Sequence, residues 1–255
     1  MNKLLPNRVT VELTNDCNLN CFMCPRRFWV PQAHIGYMNL HLWYKIIDEI
    51  ADKDITLVPF WRGCSLLHPE FKTMMKYTIG KFKQIQFATN GILVPEYLQL
   101  LLSLDFISVS YHTKDAIKAI KLLSKNRKHN KPELQISVVK GEATEHEIDK
   151  LKQYTDTIRI YEQHSLGGSL GSIGGRTGRT FCQKLLNDIV IDWQGNISRC
   201  CHSWVTRDDW NIRDSTIEEK WSNSIYKNIR TNYPDEVCIV CDQWSDFTIG
   251  STEKI

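Results

Sequence analysis

The chain has 255 residues, of which 42% are hydrophobic and 24% are charged. This composition is typical of a globular protein with a substantial core and excludes wholesale disorder. The net charge of +3 is too small to predict a nucleic-acid binder or a polybasic membrane anchor. Apolar runs are too short to span a bilayer, and the first six residues are too short and polar for a secretory signal. We therefore expect a cytoplasmic protein.

Strand and helix patterns alternate through the first two thirds of the chain. Alternating and β-branched apolar residues predict strands over residues 8–14, 55–61, 84–89, 105–111, 133–139 and 157–162. Helical spacing predicts helices over residues 39–51, 69–80, 95–103, 113–126 and 144–154. Each connection is long enough for a right-handed crossover, so we expect a parallel sheet, either closing into a barrel or open and doubly wound. In both cases ligands bind at the carboxyl ends of the strands.

The last third of the chain has a different pattern. Residues 165–180 contain six glycines without the spacing of a P-loop or a Rossmann loop, which predicts a linker or lid. Arg176 and Arg179 in this segment are weak candidates for gripping a phosphate or carboxylate, although solvated loop charges are the simpler interpretation.

A hairpin and a helix are predicted after this glycine-rich segment. Strands over residues 189–193 and 197–199 flank Gln194-Gly195-Asn196, a hairpin pattern. The helix is predicted over residues 215–230, with Ser215 as its N-cap and Glu218 three positions later.

The nine cysteines are the strongest chemical signal. Because the expected compartment is reducing, we expect metal or redox chemistry rather than a disulfide framework. Cys17, Cys21 and Cys24 follow the first predicted strand, and three thiolates at this spacing can bind three irons of a cubane cluster and leave the fourth iron open. The alternative is a zinc site, with His34 as a possible fourth ligand.

The segment Cys17-Asn18-Leu19-Asn20-Cys21-Phe22-Met23-Cys24 resembles the motif of the radical S-adenosylmethionine (SAM) enzymes. The resemblance implies that Cys17, Cys21 and Cys24 ligate a [4Fe–4S] cluster and that SAM binds its open iron. It also implies that SAM is cleaved to methionine and a 5′-deoxyadenosyl radical, which abstracts a substrate hydrogen.

Further segments resemble this family in order. The turn from Trp61 to Pro69 is similar to a Gly-Gly-Glu-Pro-like turn that holds the methionine end of SAM, although Cys64 and Ser65 replace the usual Glu and Pro. Thr89-Asn90-Gly91 looks like the family's turn after the third strand. The residues that the resemblance implies as SAM contacts are Met23, Gly63, Cys64, Thr89, Asn90, Ser108 and Ser110.

The C-terminal cysteines resemble a SPASM domain, an auxiliary-cluster module. The pattern Cys182-x12-Gly195-x4-Cys200 matches its opening, and Cys238-x2-Cys241 follows. Without further cysteines this is the shortened version called Twitch, which implies a second [4Fe–4S] cluster held by Cys182, Cys200, Cys238 and Cys241. Four thiolates close such a cluster and suit it to electron transfer or structure. A zinc ribbon is the alternative, and the adjacent Cys201 leaves one ligand ambiguous.

Residues at the predicted strand ends are candidates for contact with the substrate: Arg62, His112, Tyr161, Glu162 and His164. Glu162 or His164 could take a proton from a substrate radical. Cys64 or Cys201 could donate a hydrogen atom, although a small buried cysteine is the simpler interpretation. The predicted catalytic residues are therefore Glu162, His164, His112 and Cys64.

The combined interpretation is an α/β protein with a partial (β/α)6 TIM-like barrel and a small C-terminal hairpin and helix iron–sulfur module. We expect a barrel domain over residues 1–165, a linker or lid over 166–180 and the module over 181–255. The layout is similar to that of the 2-deoxy-scyllo-inosamine dehydrogenases, so the first expectation is a radical SAM oxidoreductase acting on a small alcohol or amino sugar.

Two alternatives stay open. The first is a radical SAM enzyme that epimerises or cross-links a peptide, which would need an exposed groove or edge strand. No peptide-recognition segment is apparent before the first strand, which slightly favours a small molecule. The second is a non-enzymatic iron–sulfur electron carrier or a zinc-stabilised binding module. The expected partners are SAM, the substrate and an electron donor such as flavodoxin or ferredoxin, without nucleic acid or membrane.

Overall fold

The computed structural model describes residues 5–29, 34–162, 182–204, 206–231, 238, 241 and 251–255. The strands in these ranges are β1 (Arg8–Val11), β2 (Thr56–Val58), β3 (Gln84–Thr89), β4 (Phe106–Ser110), β5 (Glu133–Val139), β6 (Thr157–Tyr161), β7 (Asp188–Ile191), β8 (Asn196–Ser198), β9 (Thr206–Asn211) and β10 (Ser251–Lys254). The helices are α1 (Arg26–Trp29), α2 (Leu40–Ile50), α3 (Phe71–Thr78), α4 (Val94–Leu101), α5 (Lys114–Asn126), α6 (Glu145–Lys152), α7 (Gln183–Asn187), α8 (Ile217–Ser222) and α9 (Ser224–Thr231).

All the described strands belong to one sheet with the order β10-β6-β5-β4-β3-β2-β1-β7-β8-β9. Strands β1 to β6 pair in parallel, and β7 also lies parallel to β1. Strands β8, β9 and β10 join in antiparallel orientation. Because β9 and β10 are the two ends of this order, the sheet is open within the described residues, which confirms a partial rather than a closed barrel.

The parallel core forms because its strands and helices present apolar residues where neighbouring elements cover them. In β1, Val9 and Val11 are fully buried, and Thr10 between them is also buried. Strands covered on both faces require such nearly continuous burial. Helix α2 turns Leu42, Trp43, Ile46, Ile47 and Ile50 towards the sheet, and its N-cap Asn39 accepts hydrogen bonds from two backbone N–H groups of the first turn.

The prediction of a single helix over residues 215–230 was wrong in two respects. It is two helices, α8 and α9, separated at Asn223, whose extended backbone ends α8 and whose side chain accepts the Tyr226 N–H at the start of α9. The N-cap is Thr216, which forms a capping box with Glu219, instead of Ser215 with Glu218. Both pairs have the same spacing, so the sequence pattern alone did not distinguish them.

The predicted hairpin is present in β7 and β8, and Gly195 in its turn has a φ of 89°, a conformation that favours glycine. The parallel pairing of β7 with β1 was not predicted, nor were β9 and β10. Strand β7 thus continues the barrel sheet into the C-terminal region. The segment 166–180 lies outside the described residues, so the division into 1–165, 166–180 and 181–255 stays a prediction.

Candidate functional site

A cavity of about 210 Å³ lies at the carboxyl ends of β1 to β4. The loop after β1, the turn after β2 and the ends of β3 and β4 form its walls, as expected for a site in a parallel α/β sheet. The predicted site residues that line it are Cys17, Cys21, Cys24, Arg62, Gly63, Cys64, Thr89, Asn90, Ser110 and His112. Tertiary structure therefore brings together residues that are distributed over nearly one hundred positions of the chain.

The loop that carries the three cysteines is held by its own backbone and by Asp16. Asp16 Oδ1 accepts the Cys17 N–H at 2.8 Å, and Asp16 Oδ2 accepts the Tyr37 hydroxyl at 2.8 Å. The Cys24 N–H donates to the Cys21 carbonyl at 3.1 Å, so Cys21 to Cys24 form a turn. All three thiols are half-buried at the cavity wall. The loop thus presents three sulfurs to one space.

The electrostatics of these thiols match a strongly cationic partner. Burial, and next the neighbouring Cys24 and Cys17, raise the pKa of Cys21 to about 11. Burial is also the main cause that raises the pKa of Cys24. Deprotonating both Cys21 and Cys24 is therefore unfavourable unless metal cations compensate their charge, and metal ligation deprotonates thiols outright. The donor set therefore fits an iron–sulfur cluster.

A single-ion zinc site receives no support from the described residues, among which no three His, Cys, Asp or Glu side chains are arranged to hold one metal ion. His34, the possible fourth zinc ligand, instead packs its ring against Trp193 with centroids 6.2 Å apart. A cubane takes one thiolate per iron, so its ligands do not need to converge on one ion.

Gly63 is required where two loops approach each other. A Cβ atom at this position would lie 2.4 Å from the carbonyl oxygens of both Thr14 and Asp16. The next residue, Cys64, donates its N–H to the same Asp16 oxygen at 2.6 Å. The turn after β2 therefore supports the three-cysteine loop directly, a packing role that accounts for Gly63 without any ligand.

The two residues that depart from the family pattern are both buried. Cys64 lines the cavity, and burial raises the pKa of its thiol to about 12. Ser65 donates its hydroxyl to the Pro59 carbonyl at 2.8 Å. Neither residue supplies the carboxylate that the usual glutamate would, so any contact from this turn to SAM would use backbone groups.

Asn90 ties the end of β3 to the cysteine loop. Its side-chain N–H donates to Asn18 Oδ1 at 2.7 Å, and its own Oδ1 accepts the Ile92 N–H. Gly91 has a φ of 90°, and Thr89 Oγ1 accepts its N–H. The predicted Thr-Asn-Gly turn is thus a rigid part of the cavity wall.

The predicted residues of β4 separate into two layers. Ser110 and His112 line the cavity, whereas Ser108 lies deeper and shares hydrogen bonds with Ser137 and Gln135. Met23 does not line the cavity either. Ser108 and Met23 consequently have no direct place in this wall.

Of the predicted catalytic residues, His112 lies at the cavity and Glu162 does not. His112 Nδ1 lies 3.0 Å from Glu142 Oε2, a partner that the sequence did not indicate. Glu162 instead pairs with Lys140 at 3.0 Å, and Arg159 covers the ring of Tyr161. His164, Arg176 and Arg179 lie outside the described residues.

Arg62, predicted as a substrate contact, is engaged inside the protein. Its guanidinium makes two hydrogen bonds to Glu12, at 2.7 and 2.6 Å, and lies 3.7 Å from Asp192. Burial raises the pKa of Glu12, and Arg62 opposes that rise. Sequence reasoning missed this cluster, although a glutamate among the apolar residues of the predicted strand over residues 8–14 is a signal for a buried partner.

The C-terminal cysteines lie on separate elements. Cys182 precedes α7 and Cys200 follows β8, while the Cys241 N–H donates to the Cys238 carbonyl at 3.1 Å. Burial raises the pKa of Cys200, and the charges of Cys201 and Cys241 raise it further. A shared metal centre of Cys182, Cys200, Cys238 and Cys241 stays a prediction.

Comparisons with known proteins agree with these observations. Residues 182–242 match the SPASM family, described as an iron-sulfur cluster-binding domain. The antilisterial bacteriocin subtilosin biosynthesis protein AlbA of Bacillus subtilis is 29% identical over 140 residues, which are 47% of this chain and 31% of AlbA. The chain spans only about a third of the length of the curated relatives it matches.

Two solved structures are similar in fold. BtrN in complex with AdoMet and 2-DOIA aligns with a TM-score of 0.66 and 18% identity, over 90% of this chain and 87% of BtrN. Streptococcus suis SuiB bound to precursor peptide SuiA aligns with a TM-score of 0.67 and 12% identity, over 93% of this chain and 70% of SuiB.

The open parallel sheet, the three-cysteine loop and the matched domain agree with the predicted resemblance to the radical SAM proteins. Residues 182–242 match a SPASM iron–sulfur cluster-binding domain. The predicted fold class is confirmed, and the predicted cofactors, a SAM-binding [4Fe–4S] cluster, an auxiliary cluster and SAM, agree with these similarities. Among the described helices, none has the length and apolar character needed to cross a membrane. The individual site residues stay predictions.

Proposed function

We propose that the chain is a radical SAM oxidoreductase that oxidises a small alcohol or amino-sugar-like substrate. The observation that carries this proposal is the three-thiol wall of the cavity at the carboxyl ends of the parallel strands. The chemistry that the cluster and SAM supply when bound is a 5′-deoxyadenosyl radical that removes a hydrogen atom from the substrate. Cys17, Cys21 and Cys24 would hold the cluster.

The remaining walls would orient SAM and exclude water. The backbone of Gly63 and Cys64 and the side chains of Thr89, Asn90 and Ser110 face the same cavity as the thiols. Part of the cavity wall is aromatic and consists of Phe60, Trp61 and Trp204. These side chains would limit the access of water to a reactive centre.

His112 is the best-placed acceptor for the substrate proton. A carbon radical on an alcohol must lose one proton and one electron to become a carbonyl. Glu142 on Nδ1 favours the tautomer that carries its proton there, which leaves Nε2 with a lone pair. His112 lines the cavity, whereas Glu162 is committed to Lys140, so His112 would hold the proton.

The C-terminal domain would accept the electron. Cys182, Cys200, Cys238 and Cys241 can close a four-thiolate cluster, and closed clusters suit electron transfer. The proton and the electron would thus leave by two different regions of the chain. An electron donor such as flavodoxin or ferredoxin and a cytoplasmic location complete this proposal.

A similar solved structure supports a small substrate. The crystal structure of BtrN in complex with AdoMet and 2-DOIA aligns over 90% of this chain and 87% of BtrN, so the two chains are similar in length.

Peptide modification is the second candidate, because the curated relative AlbA takes part in the biosynthesis of a bacteriocin and the similar SuiB structure contains a precursor peptide. An extended peptide can add to an exposed sheet edge. Strand β6 of the parallel sheet is already paired with β10, which leaves β10 and β9 as the candidate edges among the described strands. Comparing the product formed from aminocyclitol alcohols with the product formed from peptides would separate the two candidates.

The proposal is tested on anaerobically reconstituted protein. We expect about eight irons per chain, from two four-iron clusters, and 5′-deoxyadenosine after addition of dithionite and SAM. The Cys17/Cys21/Cys24→Ala variant should lose the nucleoside and about half the iron. The Cys200/Cys241→Ala variant should lose about half the iron and still form the nucleoside. Zinc in place of iron, with SAM left intact, would contradict the proposal and favour a zinc-stabilised binding module.

A further inference from the structure

Four consecutive residues after β2 contact both cysteine-bearing regions. Gly63 and Cys64 pack against the three-cysteine loop through the close approach at Thr14 and Asp16. On the other side, Trp61 Nε1 donates to the Cys201 carbonyl at 2.8 Å. Arg62 Nη1 donates to the Trp204 carbonyl at 3.1 Å. We call residues 61–64 the bridge turn.

Both donors of the bridge turn are held firmly. The Arg62 guanidinium is fixed by Glu12 and by Asp192, and it lies over the Trp61 ring, 4.1 Å from the ring centroid. The Arg62 side chain is only 1% exposed, so the surrounding atoms leave little space for another side-chain conformation. Trp61 and Arg62 therefore form one stacked unit anchored to the buried end of β1.

The backbone that this unit contacts is the turn that begins at Cys200. The Ser203 N–H donates to the Cys200 carbonyl at 3.2 Å, and the Ser198 hydroxyl donates to the same oxygen at 3.2 Å. The carbonyls of Cys201 and Trp204, within and just after this turn, accept the bonds from Trp61 and Arg62. The bridge turn thus fastens a predicted auxiliary-cluster ligand to the loop of the other cluster.

We propose that Trp61 and Arg62 are positioning residues that set the placement of the Cys200 turn relative to the three-cysteine loop, and hence the separation and orientation of the two clusters. The part that concerns clusters rests on the proposed function. The part that concerns the two loops rests on these hydrogen bonds alone. Supporting residues of this kind decide whether a site is held within the few tenths of an ångström that its function requires.

The test variant is Trp61→Phe, which keeps an aromatic ring beside Arg62 and removes the N–H donor together with one ring of the indole. Trp43→Phe is the matched control, because Trp43 Nε1 also donates to a backbone carbonyl, that of Met74, at 3.1 Å between α2 and α3. Two measurements are made on the full chain. The first is amide hydrogen exchange over residues 198–204, with and without metal, and the second is pulsed EPR of the magnetic interaction between the two reduced clusters.

In Trp61→Phe we expect amide exchange at residues 200–204 to be about fivefold faster, because one hydrogen bond is lost. The iron content should be unchanged, and the magnetic interaction between the clusters should be altered. Trp43→Phe should change neither measurement. Unchanged exchange in Trp61→Phe would overturn the proposal, and faster exchange with an unchanged cluster interaction would overturn its cluster part. A chain without iron–sulfur clusters would refute the proposed function instead, and exchange in the metal-free chain would still decide whether Trp61 positions the turn.

Discussion

The two cysteine-bearing regions of this chain are built in opposite ways. The three-cysteine loop is local: its three cysteines lie within eight residues, follow one strand and line an accessible cavity. The predicted C-terminal ligands spread over residues 182–241, on separate elements. A short loop can hold three corners of a cluster and leave one open, whereas a closed fourfold site must be assembled by tertiary structure.

Strand β1 joins these two regions. Its carboxyl end continues into the three-cysteine loop, and its edge pairs in parallel with β7 of the C-terminal region. Glu12, the residue after β1, donates its N–H to the Ile191 carbonyl, and its carboxylate binds Arg62. Both cysteine-bearing regions are therefore attached to the same buried end of β1.

The proposed division of proton and electron between the two regions predicts the largest effect. His112→Asn should lower carbonyl product from aminocyclitol alcohols by about 10²–10⁴-fold, because it removes the proton acceptor. Formation of 5′-deoxyadenosine should continue, since the thiol loop is intact. Chromatography of the same reaction measures the carbonyl product and 5′-deoxyadenosine, and the ratio of the two amounts checks the prediction.

Two glutamates serve as controls for this prediction. Glu142→Gln should reduce product about 10-fold by loosening the His112 ring. Glu162→Gln should leave it unchanged, because Glu162 pairs with Lys140 away from the cavity. A large loss in Glu162→Gln with activity retained in His112→Asn would assign the proton to Glu162.

Substitution of Arg62, whose buried contacts lie at the end of β1, should cause a large loss of stability. Arg62→Met leaves the carboxylates of Glu12 and Asp192 buried without their cation, which should cost about 3–5 kcal/mol of unfolding free energy in urea. Lys118→Met removes an exposed pair with Asp115 and should change little.

The loss in Arg62→Met should depend on pH in a defined direction. Burial already raises the pKa of Glu12, and removing the opposing cation raises it further. The folded state then retains a proton that the unfolded state releases, so the variant should be most stable at low pH and lose stability as pH rises through the raised pKa. Urea unfolding at pH 5 and pH 8 checks this, and a variant that is more stable at pH 8 would contradict it.

Gly63→Ala should disturb the open site more than the closed one. Its Cβ would meet two carbonyl oxygens at 2.4 Å, so we expect a loss of about 1–3 kcal/mol and loss of iron from the three-cysteine loop alone. In Gly80→Ala, where φ is 88° and no atom lies within 4 Å of the added Cβ, stability should fall without loss of iron. Equal iron loss in both variants would mean that the close approach is not what supports the loop.

The smallest predicted effect compares one helix from each region. Thr144 of α6 and Thr216 of α8 both form capping boxes, so each Thr→Ala variant should cost about 1 kcal/mol of unfolding free energy. If the two regions unfold as one unit, urea curves of both variants should shift alike by fluorescence and by circular dichroism. A shift confined to one probe would show that they unfold separately.

Regular patterns made the barrel predictable. Strands β3 and β5 have the predicted bounds, because β-branched and apolar residues between turn signals indicate where each strand begins and ends. Helices α5 and α6 also lie within the predicted ranges 113–126 and 144–154. The C-terminal region was less predictable: α8 and α9 read as one helix, and β9 and β10 depend on pairing with distant strands.

The sequence by itself determined the alternating α/β order, the three-cysteine loop and the pairs of C-terminal cysteines, because these are set by spacing along the chain. Only the tertiary structure decided which residues meet. It paired His112 with Glu142, buried Arg62 between Glu12 and Asp192, and set Trp61 against the Cys200 turn. The physical reason is that a buried charge or hydrogen-bond donor must find a partner in space, and that partner can lie anywhere along the chain.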